Sequence, residues 1–441
     1  MNKHYDLIII GAGPGGYETA LYAKENGLSV ALIEENKLGG TCLNCGCIPT
    51  KTYYTAAKYI HDIKKMASFG FETNYSFAFD KIKEKKENVV LELGKGIEYL
   101  INNSKVDLYN GKGIITDKLD GIIKIKVNDD ILFCDHCIIA TGSEPVKGII
   151  PNGDLAITSE DLLRLNKLPK SLTIIGGGVI GIEMATIFAS LGTKVEVIEM
   201  MDNILPMLDS DIAKRIQLSL SKIGIKFHVK SIVNKIIDKN SVEVIEKGNP
   251  QIITSEYILL SVGRKARVDV FENLNIETNK KGFKINDYFE TSVSNIYAIG
   301  DCNGKNMLAH YATYSGYKVV NKILNKNDNI NLSLTPSAVF TFPEIASIGL
   351  TEKQAKENNI VYTVKKLSFR QNGKALAMDE KDGFLKAIIS DDEIIGMCIC
   401  GPEAADLIHE ISILLNEHIK ISRFKDYIFA HPTLSEILKL I

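Results

Sequence analysis

Asp6-Leu7-Ile8-Ile9-Ile10-Gly11-Ala12-Gly13-Pro14-Gly15-Gly16 is a short apolar run followed by glycines at G-x-G-x-x-G spacing (Gly11, Gly13, Gly16). The run reads as a fully buried strand and the stretch to Asn26-Gly27 as a helix. A second strand, Ser29 to Ile33, ends at Glu34. The whole pattern recurs later. Leu172 to Ile175 is the strand, Gly176, Gly178 and Gly181 are the glycines, and a helix runs to Leu191-Gly192. The following strand, Lys194 to Ile198, ends at Glu199, and Glu199 stands as far from Gly176 as Glu34 does from Gly11. A lone glycine motif is weak, whereas strand, glycines, helix, strand and terminal carboxylate together predict a dinucleotide site. Glycines let backbone N–H groups approach a pyrophosphate at a helix N-terminus, and the carboxylate accepts ribose hydroxyls. Two copies imply an α/β chain with two Rossmann-like domains and two dinucleotides, one held permanently and one exchanged.

Glu199 also bears on which nicotinamide is used. A 2′-phosphate would meet that carboxylate, and no Arg or Lys lies between Met200 and Leu208 to neutralise it. NAD is therefore expected rather than NADP.

Between the first copy and the next helix stands Gly39-Gly40-Thr41-Cys42-Leu43-Asn44-Cys45-Gly46-Cys47-Ile48-Pro49. Residues five apart in a regular helix have Cα atoms roughly 8–9 Å apart, beyond the roughly 4.4–6.8 Å that a disulfide wants. A Cys42–Cys47 bridge thus requires a distorted segment, which Gly46 permits and which Pro49 suits in a first helical turn. Thiols in a Gly-flanked turn beside a nucleotide unit point to two-electron redox chemistry rather than to buried inert cysteines. Cys42-x-x-Cys45 with Cys134-x-x-Cys137 has zinc-site spacing, but residues three apart on a strand face opposite ways, so no metal site is expected.

The 441 residues suffice for two to four domains. A formal charge of −2 and the lack of a long basic block argue against nucleic acid. No apolar run reaches membrane-spanning length, so no membrane insertion is expected. The chain enters a strand almost at once, so no signal or transit peptide is expected. Eight cysteines in so long a chain fit a reducing, cytoplasmic setting.

Further along, Cys137 to Gly142 reads as a buried strand and tight turn. Thr291 to Asp301 reads as another strand, with Asp301 either binding a sugar hydroxyl or capping a helix. At the C-terminus, Thr433 to Glu436 fits a capping box, and Leu434, Ile437, Leu438 and Ile441 recur at helical spacing. His431, just before it, is an imidazole able to act as acid–base partner to a thiol relay.

Together these landmarks resemble the FAD-dependent pyridine nucleotide–disulfide oxidoreductases, from Asp6 to Glu436. Met307-Leu308-Ala309-His310 and His431-Pro432-Thr433-Leu434-Ser435-Glu436 look like the dihydrolipoamide-oxidising branch. The resemblance implies FAD on the first unit, with Gly11, Gly13, Gly16 and Glu34. Lys51, Gly113, Thr141, Gly142, Asp301 and Ala309 would add contacts. It implies NAD on the second, with Gly176, Gly178, Gly181 and Glu199, joined by Gly263-Arg264. Lys51 and Glu183 would form an ion pair near the flavin. Cys42 would exchange with substrate, Cys47 would lie against the flavin, and His431, held by Glu436, would serve the other subunit of a homodimer. The implied domains are 1–142 (FAD, first part), 143–264 (NAD), 265–332 (FAD, second part) and 333–441 (an α+β dimerisation domain). The implied activity is oxidation of protein-bound dihydrolipoyl groups with reduction of NAD⁺. The lipoyl group would arrive on another protein, of a 2-oxoacid dehydrogenase, acetoin dehydrogenase or glycine cleavage system. Three features depart from the family: Cys45 replaces a small apolar residue, Phe429 stands where a histidine is often seen, and the chain ends five residues after Glu436. The competing readings are a glutathione-reductase-like enzyme, an idle flavoprotein scaffold and a zinc–thiolate protein.

Overall fold

Lys3–Ile10 is the central strand of the first nucleotide unit, and its apolar run is explained by cover on both faces. Leu7 and Ile9 pack with Ala20, Ala23 and Val319, while Ile8 and Ile10 pack with Ile115, Ile125 and Cys137. Each fully buried Leu or Ile contributes about 1.5–3 kcal/mol of transfer free energy, which fixes the strand against any one-residue slip. The computed structural model describes residues 3–441, and the chain divides into two units.

The first unit comprises Met1–Thr52, Lys81–Val146 and Gly263–Leu332. Its seven-stranded sheet runs Asp107–Asn110, Val30–Glu34, Lys3–Ile10, Asp130–Ile139, Ile122–Val127, Gly113–Leu119, with Ile296–Ala298 also pairing Asp130–Ile139. The pairings Leu7↔Val30, Ile10↔Ile33 and Ile10↔Ile139 are parallel and bring the strands' carboxyl ends together beside the glycines. The helices Pro14–Glu25 and Ala309–Ile323 lie side by side. A Cβ on Gly15 would come within 2.9 Å of Ala312 Cβ, and one on Gly316 within 1.7 Å of Thr19 Oγ1. The sequence Thr291 to Asp301 is not one strand. Thr291 Oγ1 bonds the Val293 carbonyl and Asn295 turns left-handed (φ 62°), so only Ile296–Ala298 joins the sheet. Asp301 then falls in the 3₁₀ turn Gly300–Asn303, where it caps no helix.

The second unit comprises Tyr53–Asp80, Lys147–Val262 and Ser333–Ile441. Lys226–His228, Lys194–Ile198, Ser171–Ile175 and Tyr257–Leu260 form a parallel sheet in that order, and Ser231–Asp238, Ser241–Glu246 and Asn249–Thr254 an antiparallel one. The C-terminal part is a five-stranded antiparallel sheet, Ser337–Val339, Glu344–Gly349, Glu393–Gly401, Phe384–Ser390, Thr363–Ser368, on which Ala404–Asn416 buries Ile408, Ile411 and Leu415. This is the mixed α/β architecture expected. Lys386, only 2% exposed, reaches Asp209 at 2.9 Å, Asp211 at 3.2 Å and Glu352 at 2.7 Å. Among the described residues no helix is long and apolar enough to cross a membrane.

Candidate active site

The two glycine turns are built alike. Gly11 and Gly176 both have φ 105°, and a Cβ on either would lie within 2.4–2.5 Å of a facing carbonyl oxygen. A Cβ on Gly16 would sit 1.8 Å from Gly11 O, and one on Gly181 2.1 Å from Gly176 O, so each helix start presses on its own turn. Gly13 and Gly178 face the other way, with nothing within 4 Å of a built Cβ. They are the N-caps of Pro14–Glu25 and Val179–Ser190, and neither helix has a side-chain cap. Open space at uncapped N–H groups is the cradle that a pyrophosphate requires. The parallel helix Ala309–Ile323, likewise without a side-chain cap, starts beside the first cradle. Both dinucleotides therefore have fitting sites.

The carboxylates repeat too. Glu34 accepts the Ala12 N–H at 2.6 Å and the Asn36 N–H at 2.8 Å. Glu199 accepts the Gly177 and Met201 N–H groups, each at 2.7 Å. Each buried acid is thus clamped to its own glycine turn, with acceptor capacity left for a sugar.

The cysteine segment breaks as its geometry demanded. Gly40–Cys45 is a short helix, Gly46 takes φ −133° and ψ −110°, and the helix Cys47–Lys65 starts anew with Pro49 in its first turn. A Cβ on Gly46 would come within 2.9 Å of Thr41 O. This break brings the Cys42 and Cys47 thiols within hydrogen-bonding reach, and that bond, with burial, raises the Cys42 pKa, while the Lys51 ammonium pulls it down. The segment is pinned to the first cradle. Gly39 N–H donates to Ala12 O at 2.8 Å, and a Cβ on Gly40 would lie 2.7 Å from Gly13 Cα. Cys42 is half-buried and Cys47 exposed.

Ser143, which sequence reasoning missed, connects two expected residues. Its Oγ donates to Asp301 at 2.5 Å and accepts from Arg264 Nε at 2.8 Å, and its carbonyl takes a second Arg264 bond. Gly263 and Arg264, expected with the second dinucleotide, both fall in the first unit, where Arg264 binds Ser143 and the Gly263 carbonyl accepts the Val146 N–H. Thr141 Oγ1 donates to Arg267 O, and Gly142 turns with φ 69°. Gly113 is buried against Ile10 and Ile33, and a Cβ there would come within 3.2 Å of each side chain. Glu183, buried on Val179–Ser190, accepts the Phe340 N–H at 3.1 Å. Cys134 and Cys137 share one apolar cluster in spite of strand alternation. Among the described residues no group of three or more His, Cys, Asp or Glu could hold a metal.

At the C-terminus, His431 Nδ1 lies 3.0 Å from Glu436 Oε2. Glu436 also accepts Thr433 N–H at 3.0 Å and Lys439 Nζ at 2.9 Å, which hold its pKa near about 2. Only half of the expected capping box forms, because the segment Ser435–Leu440 is a 3₁₀ helix whose N-cap is Leu434, one residue after Thr433, and Thr433 Oγ1 donates to Ala430 O. Asn372 Nδ2 pins the loop by donating to the Thr433 and Leu434 carbonyls. His431 remains exposed, its Nδ1 fixed and its Nε2 the atom left to move a proton.

The pattern described as pyridine nucleotide-disulphide oxidoreductase matches residues 5–316, and that family's dimerisation domain matches residues 335–440. The chain belongs to this family. Among curated members of this oxidoreductase family, the dihydrolipoyl dehydrogenase of Bacillus subtilis (strain 168) is 35% identical over 444 residues, covering 98% of this chain and 96% of its own. That of Chlamydia muridarum (strain MoPn / Nigg) is 37% identical, covering 99% and 96%. Among solved structures, the HOCl-induced flavoprotein disulfide reductase RclA from Escherichia coli superposes with a TM-score of 0.87 at 27% identity, covering 99% of each chain.

Proposed function

We propose that this oxidoreductase is a dihydrolipoyl dehydrogenase, acting in the cytoplasm as a homodimer on lipoyl groups carried by partner proteins. The observation that carries the reading is the redox pair Cys42/Cys47 clamped by Gly39 and Gly40 onto a dinucleotide cradle. A poised His431–Glu436 pair accompanies it. Full-length relatives carry the dihydrolipoyl dehydrogenase name.

FAD, held on the first cradle, supplies the two-electron acceptor that links thiols to the nicotinamide of NAD⁺ on the second. The chain's own residues do the sulfur chemistry. His431 of the partner subunit takes a proton at Nε2 from a dihydrolipoyl thiol. The resulting thiolate attacks Cys42 Sγ of the Cys42–Cys47 disulfide, forming a mixed disulfide and leaving Cys47 as thiolate. The second substrate thiol, losing its proton, attacks the substrate sulfur of the mixed disulfide, closes the lipoyl ring and releases Cys42. One disulfide is thereby reduced and one formed. Cys47 is exposed in the protein chain and would pass the electron pair to a bound flavin. The bond to Cys47 and burial raise the Cys42 pKa, and the Lys51 ammonium offsets part of that rise. Glu436 holds the His431 ring with Nδ1 inward, so the proton moves at Nε2 alone.

The test is an assay of NAD⁺ reduction by dihydrolipoamide, run beside NADPH with oxidised glutathione. Turnover in the second reaction and none in the first would replace this reading with a glutathione-reductase-like one.

A further inference from the structure

A buried histidine in the second nucleotide unit has no part in the chemistry above. His228 ends the edge strand Lys226–His228 and is 3% exposed. Its Nδ1 lies 2.9 Å from Glu246 Oε2 and its Nε2 2.9 Å from Glu196 Oε2. A neutral imidazole has one N–H and one bare lone pair, and can donate to one carboxylate only. Both contacts are donations when the ring carries two protons. The His228 bond is the chief cause holding Glu246 below the usual carboxylate range. Burial pushes Glu196 up, yet the bonds from His228 and Lys226 leave it lowered. Glu196 belongs to the parallel sheet and Glu246 to the antiparallel one, so the ring ties two sheets together.

What it secures is the turn that presents Glu199. The His228 carbonyl accepts the Glu199 N–H at 2.8 Å, Ser231 N–H donates to Glu199 O at 3.0 Å, and Lys230 N–H donates to Met201 O at 3.0 Å. Met201 N–H in turn grips the Glu199 carboxylate. The first nucleotide unit is built differently at the matching place. There Tyr109 pairs with Ile33 as His228 pairs with Ile198, and its hydroxyl joins a cluster with Tyr5, Lys3 and Asp107 rather than a histidine between two carboxylates.

We propose that His228 is a positioning residue for the nicotinamide dinucleotide, its ring, held between two carboxylates, setting the pose in which Glu199 receives the adenosine ribose. The proposal rests on the second glycine unit being the NAD site.

The experiment compares the flavin-loaded parent with His228→Gln, Glu246→Gln and the double variant, by fluorescence titration of NADH binding and by steady-state kinetics. His228→Gln should weaken NADH binding, and raise KM for NAD⁺, by about five- to tenfold. Its kcat at saturating NAD⁺ and its KM for dihydrolipoamide should hold within about twofold. In the double variant the two amides pair with each other while Glu196 keeps Lys226, and binding should recover towards the parent. Unchanged NADH binding in His228→Gln overturns the proposal. So does a loss that the double variant fails to reverse, or one shared equally by kcat and flavin content. Should His228→Gln not fold, the partly exposed Glu246→Gln alone must show the KM shift or the proposal fails. A parent that binds no NADH would instead sink the assignment of the second cradle.

Discussion

Gly13 and Gly16 stand three residues apart in one turn, and the structure predicts opposite consequences for the same substitution. Gly13 has φ −67° and ψ −179°, a backbone any residue adopts, and a Cβ there meets nothing within 4 Å. Gly13→Ala should leave the flavin-free protein as stable as the parent, or more stable by about 0.4–1 kcal/mol through the lost freedom of the unfolded chain. Its methyl group, however, stands in the open cradle and should abolish flavin retention. At Gly16 the Cβ would lie 1.8 Å from Gly11 O, while an ordinary C···O contact is about 3.3 Å, so backbone must move by roughly 1.5 Å. Overpacking costs about 1–3 kcal/mol where side chains can yield, and here only main chain can. Gly16→Ala should therefore lose at least about 3 kcal/mol. Urea unfolding of the stripped proteins gives the stabilities, and visible flavin absorbance after purification gives the retention. The second turn repeats the contrast: Gly178→Ala should keep flavin and lose NADH binding, and Gly181→Ala should destabilise. A Gly13→Ala protein that purifies fully flavin-loaded would refute the cradle, and a Gly16→Ala protein of parental stability would refute the packing argument.

Other expectations follow from the C-terminal loop and the buried lysine. His431→Gln should slow dihydrolipoamide oxidation by about 10²–10⁴ with flavin content and NADH oxidation by a one-electron dye unchanged; parental lipoamide turnover would remove the residue from the mechanism. Glu436, held near about 2 by Lys439, the Thr433 N–H and His431, has a folded-state pKa below its unfolded value. Its contribution is therefore present above the ordinary carboxylate range and lost as pH falls towards about 2. Thermal stabilities of the parent and Glu436→Gln should converge on acidification, and a gap widening towards low pH would contradict this. Lys386→Met removes the cation shared by Asp209, Asp211 and Glu352 and should cost about 3–5 kcal/mol, read as a lower urea midpoint. An unchanged midpoint would show those carboxylates to be well solvated.

The repeated strand–glycine–helix pattern was legible because every constraint in it is local. A turn that needs Gly11, a helix start that needs Gly16 and an acid ending the next strand lie within one βαβ unit. The need for a helix break between Cys42 and Cys47 was legible for the same reason, since helix pitch and disulfide reach are fixed lengths. The strand expected over Thr291 to Asp301 was not, because Asn295 has the option of a left-handed turn that composition alone does not reveal. Likewise Thr433 and Glu436 have capping-box spacing, but the helix starts one residue later than that spacing implies, with Leu434 as its N-cap.

By itself, then, the order of residues determined two dinucleotide units, a cysteine pair whose joining requires a helix break, and a histidine followed five residues on by a carboxylate. Only the tertiary structure decided what joins them: the approach of Gly40 to Gly13, the Arg264–Ser143–Asp301 connection, and the seat of His228 between Glu196 and Glu246. Those contacts link residues far apart along the chain. Their distances are set by how sheets and helices pack around the core, and no local spacing encodes them.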